Sequence, residues 1–248
     1  MIKKSLLTAV TMAAPIFLGA NGVFAATSGN NANPNQTSTT VSATFTVPTN
    51  GGTNPLPPQG GNGTDTGGTG GTNNNTSNNV SGSFGIAYQP TSFNFGNHEL
   101  GTTGSATYQA ESKRGSAGFH IGVKDTTHDS TGWQLTAIAQ GEIFTTGQAR
   151  ITTTSKSTVT KNENDGVTGF QNSNLVPVTD GSVTTNANSE ITSVSGKPIM
   201  TGVKGSVFSS TYDVDLGDVS LVIPDVSKIK AGSLTASSVQ WNLALTPQ

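Results

Sequence analysis

Proton transfer or metal binding would fall to 3 histidines and 14 carboxylates here, because the 248-residue chain has no cysteine. His98, His120 and His128 lack the spacing of a zinc motif. Asp213, Asp215 and Asp218 have the chemistry of a Ca²⁺ site, but EF-hand spacing with its closing glutamate is missing. Asp213 and Asp215 share one face of an alternating segment and are expected as solvent-facing strand carboxylates. Glu142 with Asp125 or Glu190 has the residue types of a glycosidase pair. Any chain with 14 carboxylates offers such pairs by chance. There is no Gly-x-Ser-x-Gly elbow either. The expectation is a non-enzymatic protein with no catalytic residue, no metal site and no cofactor.

Aromatic side chains offer a second chemistry, stacking and burial. The chain has 2 tryptophans, and both stand in the same triplet, Trp133-Gln134-Leu135 and Trp241-Asn242-Leu243. A period of two places Trp133, Leu135, Ala137 and Ala139 on one face, and Val239, Trp241, Leu243 and Leu245 on another. Such a face either packs a core, which is worth a few kcal/mol per large aromatic, or stacks on a ligand such as a sugar ring. Both readings are open for Trp133, Leu135, Trp241 and Leu243. If the tryptophans are buried, Tyr88, Tyr108, Phe144, Phe170 and Tyr212 are the remaining candidates for stacking.

The elements around these triplets read as strands. Phe84, Ile86 and Tyr88 alternate, and Phe93 and Phe95 follow. Phe119, Ile121 and Val123 alternate, as do Tyr212, Val214 and Leu216. Val41, Ala43, Phe45 and Val47 predict an early strand within 37–47, after a flexible leader over 26–36. Residues 48–83 turn to Gly, Asn, Thr and Pro and predict a low-complexity loop or linker, because so little apolar surface cannot offset the entropy of ordering. Residues 84–248 form the main β portion. Asp225 to Lys230, after Pro224, predicts one short helical turn, and 155–205 a sheet edge with long loops. The expected fold class is all-β, a β-sandwich or barrel-like domain with a long Gly/Asn/Thr/Pro-rich loop.

The N-terminus bounds the compartment. Lys3 and Lys4, the apolar run from Leu6 to Leu18 and the small residues around Val23-Phe24-Ala25 predict a signal peptide over 1–25. That run is too short for a stable membrane anchor, so the mature chain is expected without a transmembrane segment. Only 10% of residues are charged and the formal net charge is −2. No basic patch for nucleic acid is expected. Without cysteine there is neither a disulfide nor a lipid anchor. Thr246-Pro247-Gln248 follows the last strand directly, without a Leu-Pro-x-Thr-Gly signal. The expectation is a secreted protein held at the cell surface non-covalently.

Several segments together resemble the WxL domain family of Gram-positive surface proteins. Gln89-Pro90-Thr91-Ser92-Phe93-Asn94-Phe95-Gly96 resembles that family's Pro-x-x-(Phe/Leu)-x-Phe-Gly segment. Val123-Lys124-Asp125 with Gly132-Trp133-Gln134-Leu135 resembles its proximal motif. Leu221-Val222-Ile223-Pro224, Ala231-Gly232 and Trp241-Asn242-Leu243 resemble its distal motif. The resemblance implies non-covalent attachment to the cell wall, with peptidoglycan as ligand. It also implies membrane-anchored surface proteins of the same operon as partners. An adhesin that binds a host-matrix or partner protein instead of glycan is the alternative. The tract over 48–83, with little acidic content, departs from the family's usual linker.

Overall fold

The structure is a computed structural model and describes residues 38–58, 74–111, 118–186, 188–232 and 236–246. The expected signal peptide and leader lie outside the described residues. The chain divides into two compact units, 1–44 and 45–248. In the first, residues 38–44 are exposed and carry no regular secondary structure.

The second unit is built almost wholly of antiparallel strands. In chain order these are β1 (Asn75–Ser77), β2 (Phe84–Pro90), β3 (Ala106–Gln109), β4 (His120–Asp125), β5 (Trp133–Gln140), β6 (Arg150–Thr153) and β7 (Thr160–Asn162). There follow β8 (Leu175–Pro177), β9 (Val183–Thr185), β10 (Ser189–Ile191), β11 (Lys197–Gly202), β12 (Ser210–Asp215), β13 (Val219–Ile223) and β14 (Ser238–Leu245). They form three sheets, ordered β1-β2-β4-β12-β7-β8, β10-β6-β13-β3 and β14-β5-β11-β9. A four-residue helix, α1 (Glu142–Thr145), and short 3₁₀ turns at Asn172–Asn174 and Val226–Lys228 complete it. The sandwich-like all-β fold expected from the alternation is what forms. The short turn expected over 225–230 is the second 3₁₀ turn, where Asp225 caps Ser227 N.

One hydrophobic core joins all three sheets. Ile121 and Val123 of β4, Tyr212 and Val214 of β12, Trp133, Leu135 and Ala137 of β5, Ile199 and Met200 of β11, and Leu221 of β13 are buried in it. The middle of the chain supplies more than an edge, because β11 lies inside its sheet between β5 and β9.

Two expectations need correction. No strand forms over 40–47; Val41 is 94% and Phe45 92% exposed. Nor is 48–83 simply a loop. Residues 51–58 lie as a strap on the first sheet, and β1 forms from Asn75 to Ser77. Pro55, Pro57 and Pro58 are buried, and prolines preset an extended backbone at little entropic cost. Polar contacts add to the burial of these prolines in holding the strap. Lys124 Nζ donates to Gly52 O at 3.1 Å and Asn54 Oδ1 at 3.0 Å. Leu56 N donates to Asn164 Oδ1, and Asn162 Nδ2 donates to Leu56 O. Asn75 Nδ2 donates to Pro58 O at 2.7 Å.

Candidate functional site

The two Trp-x-Leu triplets are neighbours. β14 pairs antiparallel with β5, so that Leu243 stands opposite Leu135, Trp241 opposite Ala137, and Leu245 opposite Trp133. Paired residues in a ladder share a face, so both tryptophans lie on the same side of the sheet. Their environments differ. Trp133 is fully buried; its ring packs on Tyr212 at 5.9 Å between centroids, and its Nε1 donates to Asp125 Oδ2 at 3.0 Å. Leu135 is buried beside it. Trp241 and Leu243 are half-buried against the core, on a strand with no second neighbour among the described residues.

Trp241 opens onto a cleft of about 290 Å³, with Val239, Phe144, Ile151, Pro90, Phe93 and Phe95 among its walls. Phe93 and Phe95 also line a larger groove of about 700 Å³. The two depressions thus flank one aromatic pair. Half-buried Phe93 meets the buried Phe119 edge-on at 5.0 Å, which fixes its ring. The larger groove continues over His98 and Tyr108, whose rings stack at 3.8 Å and 14°. The His98 ring also hydrogen-bonds Phe95 O, tying the loop to itself. Asn94 Nδ2 donates to Glu111 Oε2, and Gly96 N donates to Asn94 Oδ1. Asn97, Glu99 and Lys230 give the groove a polar rim. Apolar floors with a few convergent polar groups suit small ligands.

Apart from His98, Glu99 and Glu111, the candidate carboxylates and histidines lie away from this groove or at its edge. Asp213, expected at the solvent, is buried at 1% exposure. It accepts from Tyr88 Oη at 2.9 Å and Thr160 Oγ1 at 3.2 Å, and pairs with His120 Nδ1 at 3.0 Å. Burial, the nearby Asp213 charge and the hydrogen bond to it push the Tyr88 phenol well above its ordinary range. Burial opposes charging of His120, but the Asp213 charge and hydrogen bond outweigh it and raise its pKa above 6.5. Burial alone pushes the Lys124 ammonium down. Asp215 is half-buried and pairs with Lys156 at 2.6 Å, and Asp218 is exposed and accepts from Gln109. His98 is on the groove and His128 is on an exposed turn. Asp125 sits under Trp133, Glu190 pairs with Arg150, and Glu142 opens α1. No group of three or more such side chains that could hold a metal ion occurs among the described residues.

The network under the strap was not foreseen from the sequence, because β2 carries a bulge. Ile86 pairs with Val123 on the core face, whereas Tyr88 pairs with Gly122 on the strap face. The slip turns Tyr88 over, against the simple alternation of Phe84, Ile86 and Tyr88. Of the other stacking candidates, Phe170 and Tyr212 are buried, and Phe144 is buried on α1 under the Trp241 cleft.

The body is almost wholly β, and its half-buried aromatics line two depressions that share Phe93 and Phe95. The WxL domain, described as surface cell wall-binding, matches residues 32–247, and the chain belongs to that family. It is thus a cell wall-binding protein of the cell surface, from a family of binding domains rather than enzymes. No curated protein and no solved structure matches it. No helix among the described residues is long and apolar enough to cross a membrane.

Proposed function

We propose that this chain is exported through its N-terminal leader and holds non-covalently to the Gram-positive wall, with peptidoglycan glycan seated along the aromatic groove. The observation that carries the reading is the set of half-buried rings on two depressions that share Phe93 and Phe95, with Trp241 on one and Tyr108 on the other. Sugar rings offer apolar C–H faces to aromatic side chains and hydroxyls to a polar rim. Asn94, Asn97, Glu99 and Lys230 supply that rim. Trp241 and Leu243 would act at this surface, and Trp133 and Leu135 behind it as support. A membrane-anchored surface protein would be a second partner.

The test is sedimentation of the exported chain with purified, protein-stripped walls, beside Phe95→Ala, Tyr108→Ala and Trp241→Ala. Saturable binding by the natural chain is expected, weakened about tenfold by each substitution, which corresponds to about 1.4 kcal/mol. A Val194→Ala control, at an exposed position outside the groove, should bind as the natural chain does. Binding to intact cells but not to stripped walls would move the reading to a protein partner.

A further inference from the structure

Among the described residues, sheet edges are short with one exception. β1, β8, β9 and β10 are three residues each, β8 ends in Pro177, and β3 has four residues. β14 has eight, Ser238–Leu245, with no charge and no proline. Edges of that length normally carry a charge, a proline or a cover, because they template pairing with another chain. Thr246 N donates to Gly132 O, one step beyond the Leu245–Trp133 pair. By the alternation of an antiparallel ladder, the backbone groups of Val239, Trp241, Leu243 and Leu245 then point away from β5.

A matching strand exists and is unused. Residues 40–47 read Thr-Val-Ser-Ala-Thr-Phe-Thr-Val, with apolar side chains at every second position and no charge. Among the described residues they carry no strand pairing, and Phe45 stands 92% exposed. The two segments agree in length, in period and in neutrality. We propose that residues 40–47 of a second copy add to β14 as the next strand of the β14-β5-β11-β9 sheet. Val41, Ala43, Phe45 and Val47 then join the row of Val239, Trp241, Leu243 and Leu245. Phe45 gains cover for its ring, and Leu245, 54% exposed in one copy, gains a neighbour. Two copies exchanging this strand close a two-fold dimer. Val239 and Trp241 belong both to this row and to the cleft, so the dimer is tested apart from wall binding.

The chain from Ala26 would be tested in solution without wall material. Sedimentation should show a dimer, and Phe45→Asp or Leu245→Lys should weaken it at least tenfold. Both positions are exposed, so neither substitution disturbs the core. The absence of cysteine allows a direct test of pairing. A chain with Thr44→Cys or Thr46→Cys, mixed with a differently tagged chain with Gln240→Cys or Asn242→Cys, should form a mixed disulfide under mild oxidation. Three results would overturn the proposal. One is a monomer up to about 100 μM, where even a micromolar association is saturated. Another is association that neither charge substitution affects. The third is a disulfide that forms only within a single chain carrying both cysteines.

Discussion

Trp133 shows how one side chain can be fixed from two directions. Asp125 accepts its Nε1, and Gly202, directly opposite on β11, leaves room for its ring; a Cβ there would lie 2.5 Å from the indole. Trp133→Phe keeps much of the burial but strands Asp125 Oδ2, and should cost about 1–3 kcal/mol in denaturant unfolding. Trp133→Ala adds a cavity and should cost about 3–5 kcal/mol, well above the cost of Trp241→Ala at its half-buried site. Equal losses would contradict the placement of the two rings. Gly122 repeats the device under Tyr88, with a Cβ 2.4 Å from the phenol ring, so Gly122→Ala should destabilise by about 1–3 kcal/mol. His120 faces Asp213, with Asp215 and Lys156 acting at longer range. Its folded pKa is raised, so its stabilising contribution is complete below pH 6.5 and is lost as pH rises through the folded value. Thermal unfolding of the natural chain and His120→Gln should differ most below that pH and converge above it; a gap independent of pH would refute the ion pair. Asp215 acts in the opposite sense, because the Lys156 bond and the His120 charge overcome burial and lower its pKa. Its contribution is present above pH 3.8 and is lost as pH falls through the lower folded value.

At the scale of elements, the sequence is most legible where a strand has a simple two-residue period. β4, β5, β12 and β14 each show it, and their core faces follow directly from it. Phe93 and Phe95 continue the strand-like spacing in the sequence but lie in a loop; the family motif marks them, and nothing in the loop's composition says that His98 will stack on Tyr108. Two signals misled. The early segment around Phe45 has a strand's period but finds no strand pair among the described residues, and period alone does not provide a partner. The strap has the composition of a linker because its attachment is made by buried prolines and by hydrogen bonds from Lys124, Thr126 and Asn side chains, which hydrophobic patterning does not register. The strap's hold is testable. With a protease site inserted between residues 58 and 74, cutting should leave the N-terminal fragment bound until denaturant is added. Release on cutting alone would mean that the contacts at Gly52, Asn54, Leu56 and Pro58 contribute little.

For the whole molecule, the low charge and the absence of cysteine leave the three-sheet core and the polar network under the strap to hold the fold. That network also decides how the protein behaves when pulled. A cell surface protein gripped at its groove and drawn from its N-terminal segment meets tension first at the strap, where the Thr126 bond to Gly51 O and the Lys124 bonds to Gly52 O and Asn54 Oδ1 stand nearest the load. These are a few hydrogen bonds to neutral acceptors, whereas the sheets behind them share force along whole strands. The strap should therefore yield first as a mechanical fuse. It would lengthen the tether and spare the groove, and it could re-form when the load falls. In a single-molecule stretching trace, this predicts a small, reversible extension at low force before the body unfolds.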